Sequence, residues 1–247
     1  MSVRENTVVA TPDGQVACSI HHPAGPGPWP AVLFFSDALG VRPAMEAMAG
    51  RLADAGYFVL LPNLLYRAGE VAPFDAKTVW SNEAERGRLM KLIATVQPEP
   101  TMRDVGLFLA ALDAQPLVKR GGVGLVGYCL GGMLSFRAAA AWPDRIAAVA
   151  CIHGGHLVTD KPDSPHLGSD RVKARLYFAC ADNDRSCTPE QREALNLSLK
   201  AAGANAELEF YKGKSHGWAV TDAPVYDPDA SEQHWTRVLA LFKETIG

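Results

Sequence analysis

The sequence predicts an α/β fold: a doubly wound, mostly parallel sheet with helices on both faces and an antiparallel hairpin at the N-terminus. Three observations predict it. Short continuous apolar runs alternate with helical stretches over most of the chain. The runs lack the polar alternation of half-solvated strands, so they suit strands covered on both faces. A glycine-flanked hexapeptide, Gly127-Tyr128-Cys129-Leu130-Gly131-Gly132, joins one such run directly to a helix-like stretch. At 247 residues, 48% hydrophobic and 21% charged, the chain can bury a sizeable core within a single domain spanning residues 1–247.

The elements follow in order. Thr7-Val8-Val9, a turn at Thr11-Pro12-Asp13-Gly14, and residues 15–21 read as the hairpin. The Pro/Gly-rich loop 23–30 cannot pair in a sheet and serves as a connection. Residues 31–35 form a buried strand, residues 43–55 a helix with proline in its first turn and Gly56 beyond its end, and residues 57–61 the next strand, stopped by Pro62. Residues 63–100 break the rhythm and are assigned to a cap or lid, with a helical piece at 82–95. Alternation resumes with a helix at 102–114, a strand at 123–126, a helix after Cys129 as far as Trp142 and a strand at 146–152. After a loop at 153–171 come a strand at 174–179, a helix at 189–202, a strand at 206–211 and a last helix at 230–245.

Composition narrows the function. A net charge of −3 and a pI near 6.2 offer no basic stripe for nucleic acid, so a small-molecule partner is expected, with the protein a monomer or small homo-oligomer. No basic segment followed by an apolar region opens the chain, and no run of about 18 apolar residues occurs, so no membrane partner and a cytoplasmic location are expected. Cys18, Cys129, Cys151, Cys180 and Cys187 form no C-x-x-C pair and no even-numbered framework, which implies reduced, mostly buried thiols. His153-Gly154-Gly155-His156 resembles a metal pair only superficially, because no cysteine or carboxylate stands at a ligand spacing. It is assigned a structural or site-lining role, and neither metal nor cofactor is expected.

In a doubly wound sheet, reactive groups gather just beyond the carboxyl ends of the strands. The strand ending at Val126 delivers Cys129, in a G-x-C-x-G elbow whose flanking positions tolerate only very small residues. A thiol at a helix N-terminus is favoured as thiolate by the unpaired N–H groups and the helix dipole. The strand ending at Ala179 delivers Asp182 and Asp184, and that ending at Tyr211 delivers His216. Nucleophile, acid, histidine is the chain order of the α/β-hydrolases, in which histidine moves the proton and a buried carboxylate orients it. Spacing alone leaves Asp182 and Asp184 both open. Two other classes of function fit the same residues: a fold that binds a ligand without turnover, and a thiol redox protein.

These segments resemble the dienelactone hydrolase family of α/β-hydrolases over nearly the whole chain. The resemblance rests on Phe35 to Arg42, Gly56-Tyr57, Leu61 to Leu64, Gly127 to Gly132, Asp184 with Pro189-Glu190, and His216-Gly217. It implies hydrolysis of a carboxylic ester or lactone through an acyl-cysteine, with Cys129 as nucleophile, His216 as base and acid, and Asp184 as the orienting group. It further implies an oxyanion hole built from the backbone N–H groups of Ala38 and Leu130. Asp37 stands where the family carries a glutamate that contacts the thiol, and it has two readings: thiol tuning, or an ion pair with Arg42 that stabilises the loop. Arg67, Arg86 and Arg88 are candidate contacts for a substrate carboxylate or simple solvators of a helix face. Trp218 and Tyr226 are candidates for lining the pocket or for packing.

Overall fold

The computed structural model describes residues 2–247. Eight strands form one sheet in the order β1-β2-β4-β3-β5-β6-β7-β8. β1 (Ser2–Thr11) and β2 (Gly14–Pro23) pair antiparallel through a two-residue turn. Gly14 closes that turn at φ 139°, a conformation that side-chain-bearing residues avoid. β2 joins β4 (Phe58–Pro62) antiparallel, and from there every pairing is parallel. The expected doubly wound sheet with its N-terminal hairpin is therefore present.

β3 (Ala31–Phe35), β4 and β5 (Val123–Tyr128) are buried at every residue, the result of covering both faces. One face packs on α3 (Pro98–Asp113), α4 (Leu130–Ala141) and α5 (Pro189–Ala201), through Phe108, Leu112, Leu134, Phe136 and Leu195. The other packs on α1 (Pro43–Asp54) and α6 (Pro228–Thr245), through Met45, Leu52, Trp235, Val238 and Phe242. Between β4 and α3, residues 63–97 hold a short 3₁₀ turn and α2 (Glu83–Ile93). Asn82 caps α2 by accepting the Glu85 N–H. Leu65, Val79, Leu89 and Leu92 of this segment bury a third cluster with Ala38, against which Leu39 and Leu130 pack.

Several boundaries differ from the sequence reading. β7 (Arg175–Asn183) and β8 (Ala206–Ser215) run past the apolar stretches that suggested them, because ladder pairing continues through polar residues as far as Asn183 and Ser215, across an irregularity near Asp182. α3 begins at Pro98 rather than residue 102, since proline in a first turn forfeits no helical hydrogen bond. β6 (Ile146–Ile152) matches the range read from sequence.

Candidate active site

The elbow is built by steric exclusion. Cys129 links β5 to α4 at φ 55° and ψ −114°, strained for a residue with a side chain. Its N–H donates to the Ile152 carbonyl at 3.0 Å, which ties the turn to β6. A Cβ at Gly127 would lie 2.1 Å from the Gly131 oxygen, and one at Gly131 would lie 2.3 Å from the Phe35 oxygen. Only glycines allow α4 to start this close to β3. Cys129 is partly exposed, whereas the other four cysteines are buried. Burial raises the Cys18 thiol to about 12 and pushes Cys151 higher still, so neither is a ready nucleophile.

The lengthened strands present the other two groups directly. Asp184 follows β7 and His216 follows β8, and the Asp184 carboxylate accepts from His216 Nδ1 at 2.7 Å. The Asp184 side chain is 1% exposed and that of His216 29%. Burial alone would lower the His216 pKa, but the charge and hydrogen bond of Cys129, together with Asp184, outweigh it and hold the imidazolium well above its ordinary range. Burial alone would raise the Asp184 pKa, but hydrogen bonds from His216 and Ser186 bring it below the usual carboxylate value. Asp182 is instead exposed and accepts from the Gly213 N–H at 3.1 Å.

These directions give a pH prediction. A raised histidine stabilises the fold fully below its unfolded value of 6.5 and less as pH climbs through its folded value. A lowered aspartate contributes fully above 3.8 and less as pH falls through its folded value. The stability gap between wild type and Asp184→Asn, from urea unfolding across pH, is therefore expected to be widest between about 4 and 6.5 and to narrow on both sides. A gap independent of pH would contradict the pairing.

The β3–β5 register pairs Phe35 with Gly127, Ala38 and Leu130 each stand three residues beyond that pair, and Leu130 packs against the cluster that holds Ala38. Leu130 opens α4, so its N–H has no acceptor within the helix. Ala38 sits in a turn closed by the Gly40 N–H donating to the Asp37 carbonyl at 3.1 Å. Asp37 holds that turn: its Oδ1 accepts from the Leu39 N–H at 2.9 Å, and its two oxygens receive Arg42 at 2.7 and 2.9 Å. Arg42 also grips Asp222 through Nε at 2.8 Å and Nη2 at 2.9 Å, and these two carboxylates raise its pKa despite its burial.

Not every residue singled out from sequence reaches the site surface. Trp218 is wholly buried and stacks on Tyr211 at 4.1 Å between ring centroids, so it packs the core and does not line an open pocket. Arg67 is bound to Asp13 and buried Asp104, Arg88 to Glu85 while lying over Phe74, and Arg86 to the Trp80 carbonyl. A cavity of about 600 Å³ does open beside the Ala38 loop, lined by Leu39, Arg42, Leu65, Tyr66, Phe74 and Leu92. Ser186 and Asp222 had not been identified from sequence. Ser186 donates its N–H and Oγ to Asp184 Oδ1 at 2.8 and 2.6 Å, the turn an Asp makes with the residue two ahead, and this local rule was available in the sequence. No such signal marks Asp222. No helix among the described residues is long and apolar enough to cross a membrane.

Comparison with known proteins agrees with this architecture. A carboxymethylenebutenolidase from Pseudomonas sp. (strain P51) is 28% identical over 88% of this chain and 85% of its own. A crystal structure from Klebsiella pneumoniae subsp. pneumoniae, whose name places it among the dienelactone hydrolases, superposes with a TM-score of 0.87 at 20% identity, covering 99% of both chains. The dienelactone hydrolase-like promiscuous phosphotriesterase P91, from metagenomic libraries, superposes at 0.78 with 22% identity over 100% of this chain and 99% of its own. The dienelactone hydrolase family model matches residues 16–246, and the chain belongs to that family of hydrolases.

Proposed function

We propose that the protein hydrolyses a carboxylic ester or lactone through an acyl-cysteine intermediate. The observation that carries this reading is a conjunction: the partly exposed thiol of Cys129 on a strained elbow, and a His216 whose Nδ1 donates to the buried Asp184 carboxylate and whose pKa Cys129 and Asp184 together raise. The sulfur attacks the carbonyl carbon, and the oxyanion that forms is received by the N–H groups of Ala38 and Leu130. The imidazolium of His216 gives its proton to the departing alkoxide, which for a lactone stays attached to the acyl group. His216, now neutral, takes a proton from water as that water attacks the thioester, and the acid leaves with the thiolate and imidazolium restored.

The left-handed backbone of Cys129 supports the nucleophile reading, because a fold retains such a conformation only when the surroundings enforce it. The segment at residues 63–97 acts as the cap, packing Leu65 and Leu92 behind Ala38 and bounding the cavity that would receive part of the substrate. The lactone reading draws on the name of the Pseudomonas relative. Turnover of a panel of aryl esters, thioesters and unsaturated lactones, before and after one equivalent of iodoacetamide, tests it. Hydrolysis of at least one ester or lactone that vanishes in step with alkylation of Cys129 is expected. Hydrolysis unaffected by complete alkylation would overturn it.

A further inference from the structure

We propose that His153 is a positioning residue for His216, an uncharged flat ring that braces the imidazole of the triad from the protein side. The inference rests on the reading of His216 as the acid and base of the reaction. His153 follows the last residue of β6, and its N–H donates to the Ala179 carbonyl at 2.8 Å. Its backbone is left-handed at φ 37°, costly for a residue with a side chain and maintained only under constraint. That turn places its ring 5.0 Å from the ring of His216, at 63° between planes.

The brace is itself immobile. His153 is 1% exposed and is backed by Tyr128 at 5.9 Å and Trp218 at 6.1 Å between centroids. Trp218 is fixed in turn by Tyr211 and His234, and His234 Nε2 lies 3.1 Å from the Tyr128 hydroxyl. His216 therefore has packed rings on one side, a carboxylate at Nδ1, and a side chain that stays partly exposed near Cys129.

The contribution of His153 lies in its ring rather than in hydrogen bonding, since neither of its nitrogens has a partner among the described residues. The titratable groups around it are His216, His234, Tyr128 and Asp184. Burial first, then the positive charge of His216, keep its pKa well below the ordinary value, and Asp184 opposes them. The ring stays neutral beside an imidazolium. Removing it leaves space behind His216 into which the imidazole can tilt, and a misplacement of about 1 Å at a reacting group costs on the order of 100-fold.

Three variants separate ring from polarity: His153→Ala, His153→Gln and His153→Phe, assayed on the ester hydrolysed fastest by wild type, with thermal unfolding and Cys129 alkylation rates alongside. His153→Ala and His153→Gln are expected to lose about 30- to 100-fold in kcat with KM within about threefold, and to alkylate more slowly. His153→Phe is expected to recover kcat to within about fivefold of wild type, with the wild-type pH profile and no loss of thermal stability, since it removes two unpaired buried nitrogens. Wild-type kcat in His153→Ala, or His153→Phe as slow as His153→Ala while folded, overturns the brace. Either result beside an inactive Cys129→Ala variant sinks only the brace, whereas an active Cys129→Ala variant sinks the hydrolytic reading beneath it.

Discussion

Replacing Cys129 by alanine is expected to lower kcat on any ester the protein cleaves by about 10⁴-fold or more, with KM little changed and the fold intact. Triad members act as a unit, so removing the nucleophile forfeits nearly all that the three accomplish together. The site gives this argument specific content. Cys129 is one source of the raised pKa of His216, and under the proposed mechanism loss of the sulfur also removes the group that His216 serves. The backbone donors of Ala38 and Leu130 remain in place, so residual binding of ester is expected. Alanine at a residue that is partly exposed creates no buried cavity, and its methyl group carries the same φ strain as cysteine. Thermal unfolding near wild type should therefore accompany the loss, and the pair of measurements separates a chemical defect from a folding one.

Gly131→Ala is expected to be nearly as damaging by an unrelated route. Its new methyl group would fall 2.3 Å from the Phe35 oxygen and 2.4 Å from the Ser36 oxygen, both backbone atoms of the segment that leads to Ala38. Relief requires β3 and the start of α4 to separate, which costs about 1–3 kcal/mol as overpacking. Separation also pulls apart the two N–H groups assigned to the oxyanion, and losing one such donor costs about 10²- to 10³-fold in kcat. Gly87→Ala is the matched control. In the middle of α2 an added methyl meets nothing within 4 Å, so it should stabilise by up to about 1 kcal/mol through helix propensity and leave turnover untouched. Urea unfolding and steady-state rates of the two variants, measured side by side, check both halves. Equal behaviour of the two would remove the steric account of the elbow.

What could be read from sequence follows from how local each cause is. The buried strands were legible because burial on both faces imposes a composition, as in Ala31–Phe35 and Ile146–Ile152. Their ends were less legible where the ladder outlasts the apolar run, as at Asn183 opposite Ser215. Cys129, His216 and the pair Asp182 and Asp184 stood out as candidates because the fold class places reactive groups after strand ends, and only the family resemblance favoured Asp184, the carboxylate that lies against His216. Asp222 was invisible because it reaches Arg42 across 180 positions of sequence, and nothing near either residue announces the other. Trp218 was ambiguous for a similar reason: an aromatic beside His216 can turn outward or inward, and the stack on Tyr211 that settles it is made by residues brought together only when β8 is in place. In the sequence His153 pairs visibly only with His156, whereas its ring partner in the fold is His216.

Under the proposed mechanism the acyl group becomes covalently bound to Cys129 during turnover. Mixing the protein with an activated aryl ester, quenching in acid during the first turnover and mapping the peptides by mass spectrometry tests it most directly. One acyl group per chain is expected, on the peptide containing Cys129, formed in a burst with the release of the alcohol and absent from Cys129→Ala. Steady hydrolysis with no adduct on Cys129, or an adduct on another residue that survives in Cys129→Ala, would contradict it.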